Sequence, residues 1–357
     1  MNRAATIALA PLGALYRAAV KARSVGYQNR FLRTCQVSAP VISVGNITVG
    51  GTGKTPIVEW LAARLADQGR KVCILTRGYR RENPKQQVIV SDGKNILSDV
   101  AHSGDEAMML AQSLLGKSAV VCRADRIAAA SWVIKHLKSD VLLLDDGFQH
   151  RRLARDLDIV TIDATNPFGN GRLLPAGILR EPIKSLSRAD CIVLTRIPDE
   201  GVTNLADRVR SLTNASIFQS RMTIQGFHWL DANKHWKDAS DVRQPVAAFC
   251  GIGNPRAFFE QLRTAHLDVR REAAFRDHHK YSQTDIDRLS EQATANGAEA
   301  VITTPKDAVK LQSLDFKLPC YVAQIQVEIL DEEKLLELVN RTIDNKANKQ
   351  ITGADLR

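Results

Sequence analysis

The chain of 357 residues is poor in aromatics, with Phe, Trp and Tyr at only 5%. That argues against a stacking platform for single-stranded nucleic acid. It has no acidic residue before Glu59, although Arg3, Arg17, Lys21, Arg23, Arg30, Arg33 and Lys54 precede that point. No apolar run near the N-terminus reaches the ~20 residues of a spanning helix. The uncharged stretch 4–16 is 13 residues long and contains Pro11 and Gly13. The six cysteines (Cys35, Cys73, Cys122, Cys191, Cys250, Cys320) are far apart, so there is no CxxC metal pair and no dense disulfide framework. Buried thiols in a reducing compartment are expected.

Charge is present in excess of one sign. Lys and Arg number 49 against 39 Asp and Glu, a net charge of +10. This favours an anionic partner: nucleotide, phosphorylated substrate, nucleic acid or membrane surface. At ~150 residues per domain the length suggests about two domains. Apolar Ile7, Leu9, Leu12, Leu15, Tyr16, Ala19 and Val20 recur at roughly helical spacing among the early cations. A cleaved signal peptide would need a small-residue cleavage site and an exported enzyme, which the nucleotide motif below argues against. A packing helix and a basic helix lying in an anionic membrane interface are about level on residues alone. Arg17, Lys21 and Arg23 lean towards the membrane.

Apolar strand candidates at 41–44, 72–75, 119–122, 141–144, 159–162 and 191–194 alternate with helical patterns at 56–68, 105–115 and 127–137. That pattern predicts an α/β fold, a mostly parallel sheet with helices on both faces, which the loop at 45–55 described below makes P-loop NTPase-like. A smaller C-terminal α/β unit follows, with strands at 246–249, 300–303 and 321–325 and helices at 255–263, 284–295 and 332–344. The expected divisions are a basic amphipathic, membrane-associating helix (1–35), a P-loop domain (36–215) that the resemblance given below makes a kinase domain, a partly β connector (216–244), the smaller domain (245–345) and a frayed tail (346–357). Within the connector, residues 216–222 alternate and suggest antiparallel pairing.

Strand 41–44 runs into Gly45-Asn-Ile-Thr-Val-Gly-Gly-Thr-Gly-Lys-Thr55 and then a helix. This is the context a phosphate-binding loop requires. Gly50, Gly51, Thr52 and Gly53 let backbone N–H groups converge on phosphate oxygens. Lys54 reaches the β- and γ-phosphates, and the Thr55 hydroxyl is a Mg²⁺ ligand. Pro56 fits the first helical turn. Thr48 stands where the common pattern has Gly, and the paired Gly50-Gly51 resembles the loops of partition-type ATPases. Those carry a Lys where this chain has Val49.

Residues 141–144 are apolar and end in Asp145-Asp146. One of these acids would meet Mg²⁺ at the carboxyl edge of the sheet. Asp105 and Glu106 open a helix, where acids often serve only the dipole. Phosphoryl transfer to a hydroxyl needs a proton acceptor, and Asp105 is a candidate. Asp277-His278-His279 is a second polar knot, with no third ligand to suggest zinc.

Together the stretches 44–56, 75–79 (LTRGY), 104–106, 145–151 (DDGFQHR), 170–177 (NGRLLPAG), 179–182 (LREP), 249–253, 275–279 and 304–307 (TPKD) resemble the tetraacyldisaccharide 4′-kinase family, in the family's order. The resemblance implies transfer of the γ-phosphate of ATP, with Mg²⁺, to the 4′-hydroxyl of tetraacyldisaccharide 1-phosphate in lipid A synthesis. It implies a peripheral enzyme on the cytoplasmic face of the bacterial inner membrane, held by its N-terminal helix, with no nucleic acid and no obligate protein partner. Carried onto this chain, it makes Asp105 the catalytic base and His278 its partner. It places Glu106, Arg126, His150, Arg180 and Glu181 around the active site, and makes Thr48 and Val49 ordinary. The competing reading is a switch ATPase of the partition or targeting type, against which Val49 weighs. A nucleic-acid-binding module has only the net charge behind it.

Overall fold

The computed structural model describes residues 10–197, 201–230 and 236–354. In chain order the strands are β1 (Val41–Gly45), β2 (Val72–Thr76), β3 (Val88–Ser91), β4 (Ser118–Cys122), β5 (Val141–Asp145), β6 (Leu157–Asp163), β7 (Cys191–Thr195), β8 (Ser216–Leu230), β9 (Trp236–Ala239), β10 (Val246–Cys250), β11 (Val269–Ala274), β12 (Ala300–Thr303) and β13 (Cys320–Ile329). They form one continuous sheet in the order β11-β10-β12-β13-β8-β7-β6-β1-β5-β2-β4-β3, with β9 beside β8.

The N-terminal half is parallel from β8 to β4, and β3 is antiparallel at the edge. Both faces of β1, β2, β4, β5, β6 and β7 are buried because alternate residues serve different helices. Ile42, Val44, Ile74 and Leu143 pack with Ile57, Val58, Leu61 and Leu65 of the helix Lys54–Asp67. Val41, Cys73, Leu75 and Leu142 pack with Ala129, Ala130 and Val133 of the helix Arg126–His136. The C-terminal half repeats the device. Val246 and Ala248 face Phe258 and Leu262, whereas Ala247 and Phe249 face Ile286 and Leu289.

Strand β8 joins the halves. Ser216 to Gln219 pair parallel with β7, and Ser220 to Trp229 pair antiparallel with β13. The antiparallel pairing predicted for 216–222 therefore begins only at Ser220. The last helix, Glu332–Ala354, runs past the predicted end at 344 into the stretch expected to fray. Although the sequence pattern assigns it to the smaller unit, its Leu335, Val339 and Ile343 enter the core under the helix Lys54–Asp67. Arg64 pairs with Glu332 at 2.8 Å. Five of the six cysteines are buried and Cys35 is exposed.

The helix Ala10–Gln28 docks beside the sheet's N-terminal half. Tyr16 Oη donates to the Arg180 carbonyl at 2.9 Å, Arg23 donates to the Gln149 carbonyl at 2.8 Å, and Arg151 stacks on Tyr27 at 4.5 Å. Leu12 and Leu15 on the same helix are 57% and 69% exposed. Among the described residues, no helix is long and apolar enough to cross a membrane. The part of the predicted helix at residues 1–9 lies outside the described residues.

Candidate active site

The loop after β1 is held from several sides. Asn46 Nδ2 donates to Thr52 Oγ1 at 2.8 Å, and the Thr52 and Thr161 hydroxyls meet at 2.9 Å. Thr195 Oγ1 donates to the Thr52 carbonyl at 2.9 Å, and Arg196 donates to that of Gly51 at 2.6 Å. From the segment after β6, backbone bonds from Val49 N to Ile178 O and from Arg180 N to Ile47 O, both 2.7 Å, fix the loop's near side. Gly53 caps the helix Lys54–Asp67 at φ 77°, a conformation that favours glycine, and no side chain caps the helix. The first N–H groups of the helix thus remain available to an anion.

Register places Asp145 opposite Val44, at the root of this loop. Asp145 is buried, and its Oδ2 accepts from Thr76 Oγ1 at 3.3 Å. Among the described residues its Oδ1 has no hydrogen-bond partner. Burial, then Glu106 and Asp146, push its carboxyl up to about 7 against the pull of Lys54 and Arg126. Asp146 is opposite in character. Burial would raise it, but Lys54 and Arg180 outweigh burial and hold it below the ordinary carboxylate range. Lys54 Nζ lies 3.6 Å from its Oδ1, and Tyr79 Oη donates to Oδ2 at 3.4 Å. The backbone of Asp146 is left-handed, φ 57°.

From the other half comes His278, also left-handed at φ 61°. Its Nδ1 donates to both oxygens of Asp105, at 2.9 and 2.8 Å. Asp105 opens the helix Asp105–Ser113 and is itself buried. Lys306 Nζ reaches Glu106 Oε1 at 2.9 Å, Asp277 Oδ1 at 3.0 Å and His278 Nε2 at 3.3 Å. Lys310 Nζ stands 3.7 Å from Asp105 Oδ2.

A cleft of about 870 Å³ brings these groups together. Gly50 to Thr55, Glu106, Asp145, Asp146 and Arg180 line one side, and His278, Asp277 and Lys306 line the other. Asp105 is not on the wall; it lies behind His278. Three residues placed around the site by resemblance also stay off the wall. Arg126 is buried and donates to the Thr76 and Arg123 carbonyls; burial lowers it to about 10 despite the nearby Asp145. His150 is pushed down to about 4 by burial and by Arg126, Arg23, Arg77 and Arg152, so its imidazole is neutral at pH 7. Glu181 pairs with Arg188 at 2.8 Å. Sequence reasoning assigned no role to Lys306, Arg196 or Tyr79. Lys306 was visible only within TPKD, Arg196 only as the cation ending β7, and Tyr79 only within LTRGY.

Comparison with known proteins agrees with this geometry. The family Tetraacyldisaccharide-1-P 4′-kinase matches residues 5–344. The tetraacyldisaccharide 4′-kinase of Halothermothrix orenii is 36% identical, over 93% of this chain and 91% of its own. That of Anaeromyxobacter dehalogenans is 40% identical, over 84% of this chain and 83% of its own. The solved structure of LpxK from Aquifex aeolicus in complex with ATP superposes with a TM-score of 0.76 at 34% identity, covering 95% of this chain and 99% of that one. The chain therefore belongs to the tetraacyldisaccharide-1-P 4′-kinase family, and it is an ATP-dependent kinase.

Proposed function

We propose that the cleft transfers the γ-phosphoryl group of ATP to the 4′-hydroxyl of tetraacyldisaccharide 1-phosphate, with His278 as proton acceptor and Asp105 as the carboxylate that orients it. The observation that carries this reading is the meeting, in one cleft, of a phosphate loop from one half and an imidazole from the other, the imidazole backed by Asp105 of the first half. Gly50 to Thr55 cradle the phosphates, with Lys54 towards the β- and γ-phosphates. Mg²⁺ fits the acids at the root of the loop, because the buried Asp145 Oδ1 has no partner among the described residues. Thr55, Asp145 and Asp146 would hold it, and it supplies neutralisation of the phosphate charge.

The imidazole lines the cleft where the acceptor would enter, and Asp105 does not. As the 4′-oxygen bonds to the γ-phosphorus, the bond to the β,γ-bridging oxygen breaks and its electron pair leaves on ADP. The hydroxyl proton passes to the imidazole, and Asp105 stabilises the imidazolium that forms. Arg180 neutralises Asp146 beside the loop, while Glu106 orients Lys306. Arg126, His150 and Glu181 support the site from behind.

The enzyme would work at the cytoplasmic face of the inner membrane. In support, the helix Ala10–Gln28 packs one side on the Arg180 segment and leaves Leu12 and Leu15 exposed. A basic, acid-free N-terminus suits an anionic lipid surface. The test mixes the protein with γ-labelled Mg-ATP and tetraacyldisaccharide 1-phosphate in detergent micelles. Label on the lipid, lost with Lys54→Ala, is expected. ATP hydrolysis without lipid labelling would overturn the reading in favour of a switch ATPase.

A further inference from the structure

We propose that Lys306 is a positioning residue that keeps Nε2 of His278 free of a proton while Asp105 holds the ring proton on Nδ1. Nε2 is thereby left bare for the acceptor hydroxyl. This rests on the reading of His278 as proton acceptor and extends it by one residue.

A neutral imidazole carries one ring proton, and its hydrogen bonds decide which nitrogen holds it. Nδ1 faces the two oxygens of Asp105, and a carboxylate only accepts, so the proton sits there. On the far side Nε2 faces a mixed field. Asp277 Oδ2 is 3.7 Å away, a carboxylate that can accept from an N–H at Nε2. The Lys306 ammonium stands in the way. It has three N–H groups and no lone pair, and three acceptors surround it: Glu106 Oε1, Asp277 Oδ1 and His278 Nε2. Its contact with Nε2 is a hydrogen bond only if Nε2 offers a lone pair.

The surroundings keep Lys306 charged and in place. Burial would lower it, but Glu106, Asp105 and Asp277 outweigh burial and raise it. It lies on the short helix Pro305–Ala308, where Thr304 accepts from Asp307 N. The other charged groups near His278 are accounted for. Lys310 lies 3.7 Å from Asp105 and 2.8 Å from Asp307. Arg80 donates to the Asp277 carbonyl at 2.9 Å, and His279 is engaged with Asp285 at 3.2 Å. When the acceptor binds, its hydroxyl takes the place of the Lys306 N–H at Nε2 and finds a nitrogen ready to receive its proton.

The test is long-range proton–nitrogen NMR on the full-length protein labelled with ¹⁵N-histidine, without nucleotide, with His278 assigned by His278→Gln. In the native protein only Nδ1 should carry a proton. In Lys306→Met, which keeps length and loses charge, Nε2 should also become protonated at the same pH. Lys306→Arg should keep Nε2 bare. In turnover, Lys306→Met should lose about 10²-fold in kcat with KM for ATP little changed, and Lys306→Arg should recover most of it. Native protein with a proton on Nε2, or Lys306→Met with Nε2 bare, would overturn the proposal. So would a raised KM for ATP at unchanged kcat, which would make Lys306 a phosphate ligand. Thermal melting checks folding, and Lys306→Gln replaces Lys306→Met if the latter is unfolded. The spectra need no turnover, so a native protein that fails to label lipid would remove the proposed function while the tautomer remained measurable.

Discussion

One guanidinium nitrogen of Arg180 lies 2.9 and 2.7 Å from the two carboxylate oxygens of Asp146, the same carboxylate that Lys54 approaches at 3.6 Å. Asp146 therefore divides its charge between a cation of the phosphate loop and one from the segment after β6. Without Arg180 the whole of that charge falls on Lys54 and draws it from the phosphates. Arg180→Met should raise KM for ATP and lower kcat/KM by roughly tenfold or more, as for a charge-assisted bond of about 1.5–3 kcal/mol. Unchanged steady-state kinetics would show that Lys54 does not feel the pair.

Asp105 gives a pH dependence with a definite sign. Burial pushes its carboxyl up, but His278, Lys306 and Lys310 outweigh burial and hold it below the ordinary range. A carboxyl depressed in the folded state stabilises the fold above its unfolded value of about 3.9, and the contribution fades as pH falls through the folded value. Asp105→Asn should thus be less stable than native at pH 5–7, and the two should converge as pH falls below about 4. Urea midpoints across that range measure it, and a constant gap would refute it.

The phosphate loop and Asp145-Asp146 were legible in the sequence because their chemistry is local. A strand end, glycines and a helix start stand within eleven consecutive residues, 45–55. The pairing of Glu106 with Lys306 spans 200 positions and depends on the two halves sharing β8. Nothing periodic announces it. The same holds for the last helix, whose apolar stripe does not say which core it enters. Family motifs could name Arg126, His150 and Glu181 but not show that they stand behind the wall, since depth follows from packing.

Asp307 has no exposed surface, and four donors surround its carboxylate. Oδ2 accepts from Gly251 N at 2.9 Å and Thr304 Oγ1 at 2.7 Å, while Oδ1 accepts from Tyr281 Oη at 3.1 Å and Lys310 Nζ at 2.8 Å. Asp307→Ala would leave the Lys310 ammonium with only Asp105, at 3.7 Å, and three buried polar groups without their acceptor. A loss of about 3–5 kcal/mol is expected in urea unfolding. A loss under about 1 kcal/mol would mean that water replaces the carboxylate.

Gly253 in the second half comes close enough to the phosphate loop that a Cβ there would sit 3.1 Å from Gly51 N. A methyl group would press the loop by a few tenths of an ångström, at the amides that face phosphate. Gly253→Ala should raise KM for ATP several-fold with little change in melting temperature, because misplacement by about 1 Å costs up to ~10²-fold. Native nucleotide affinity in the variant would show that the loop gives way freely.

The helix Ala10–Gln28 has two unlike sides. Tyr16 is tied to the Arg180 carbonyl, while Leu12 and Leu15 face outwards. If those leucines enter a lipid surface, each contributes about 1.5–3 kcal/mol of transfer. Leu15→Ser should weaken binding to vesicles containing anionic lipid by about tenfold. Tyr16→Phe should instead leave vesicle binding intact and affect turnover, since it loosens the helix from the segment that carries Arg180. Added salt should weaken the native protein through its cations, with the leucine contribution persisting. Vesicle sedimentation separates the terms. Binding unchanged by Leu15→Ser but abolished by salt would leave the cations as the sole attachment and remove the apolar face from the account.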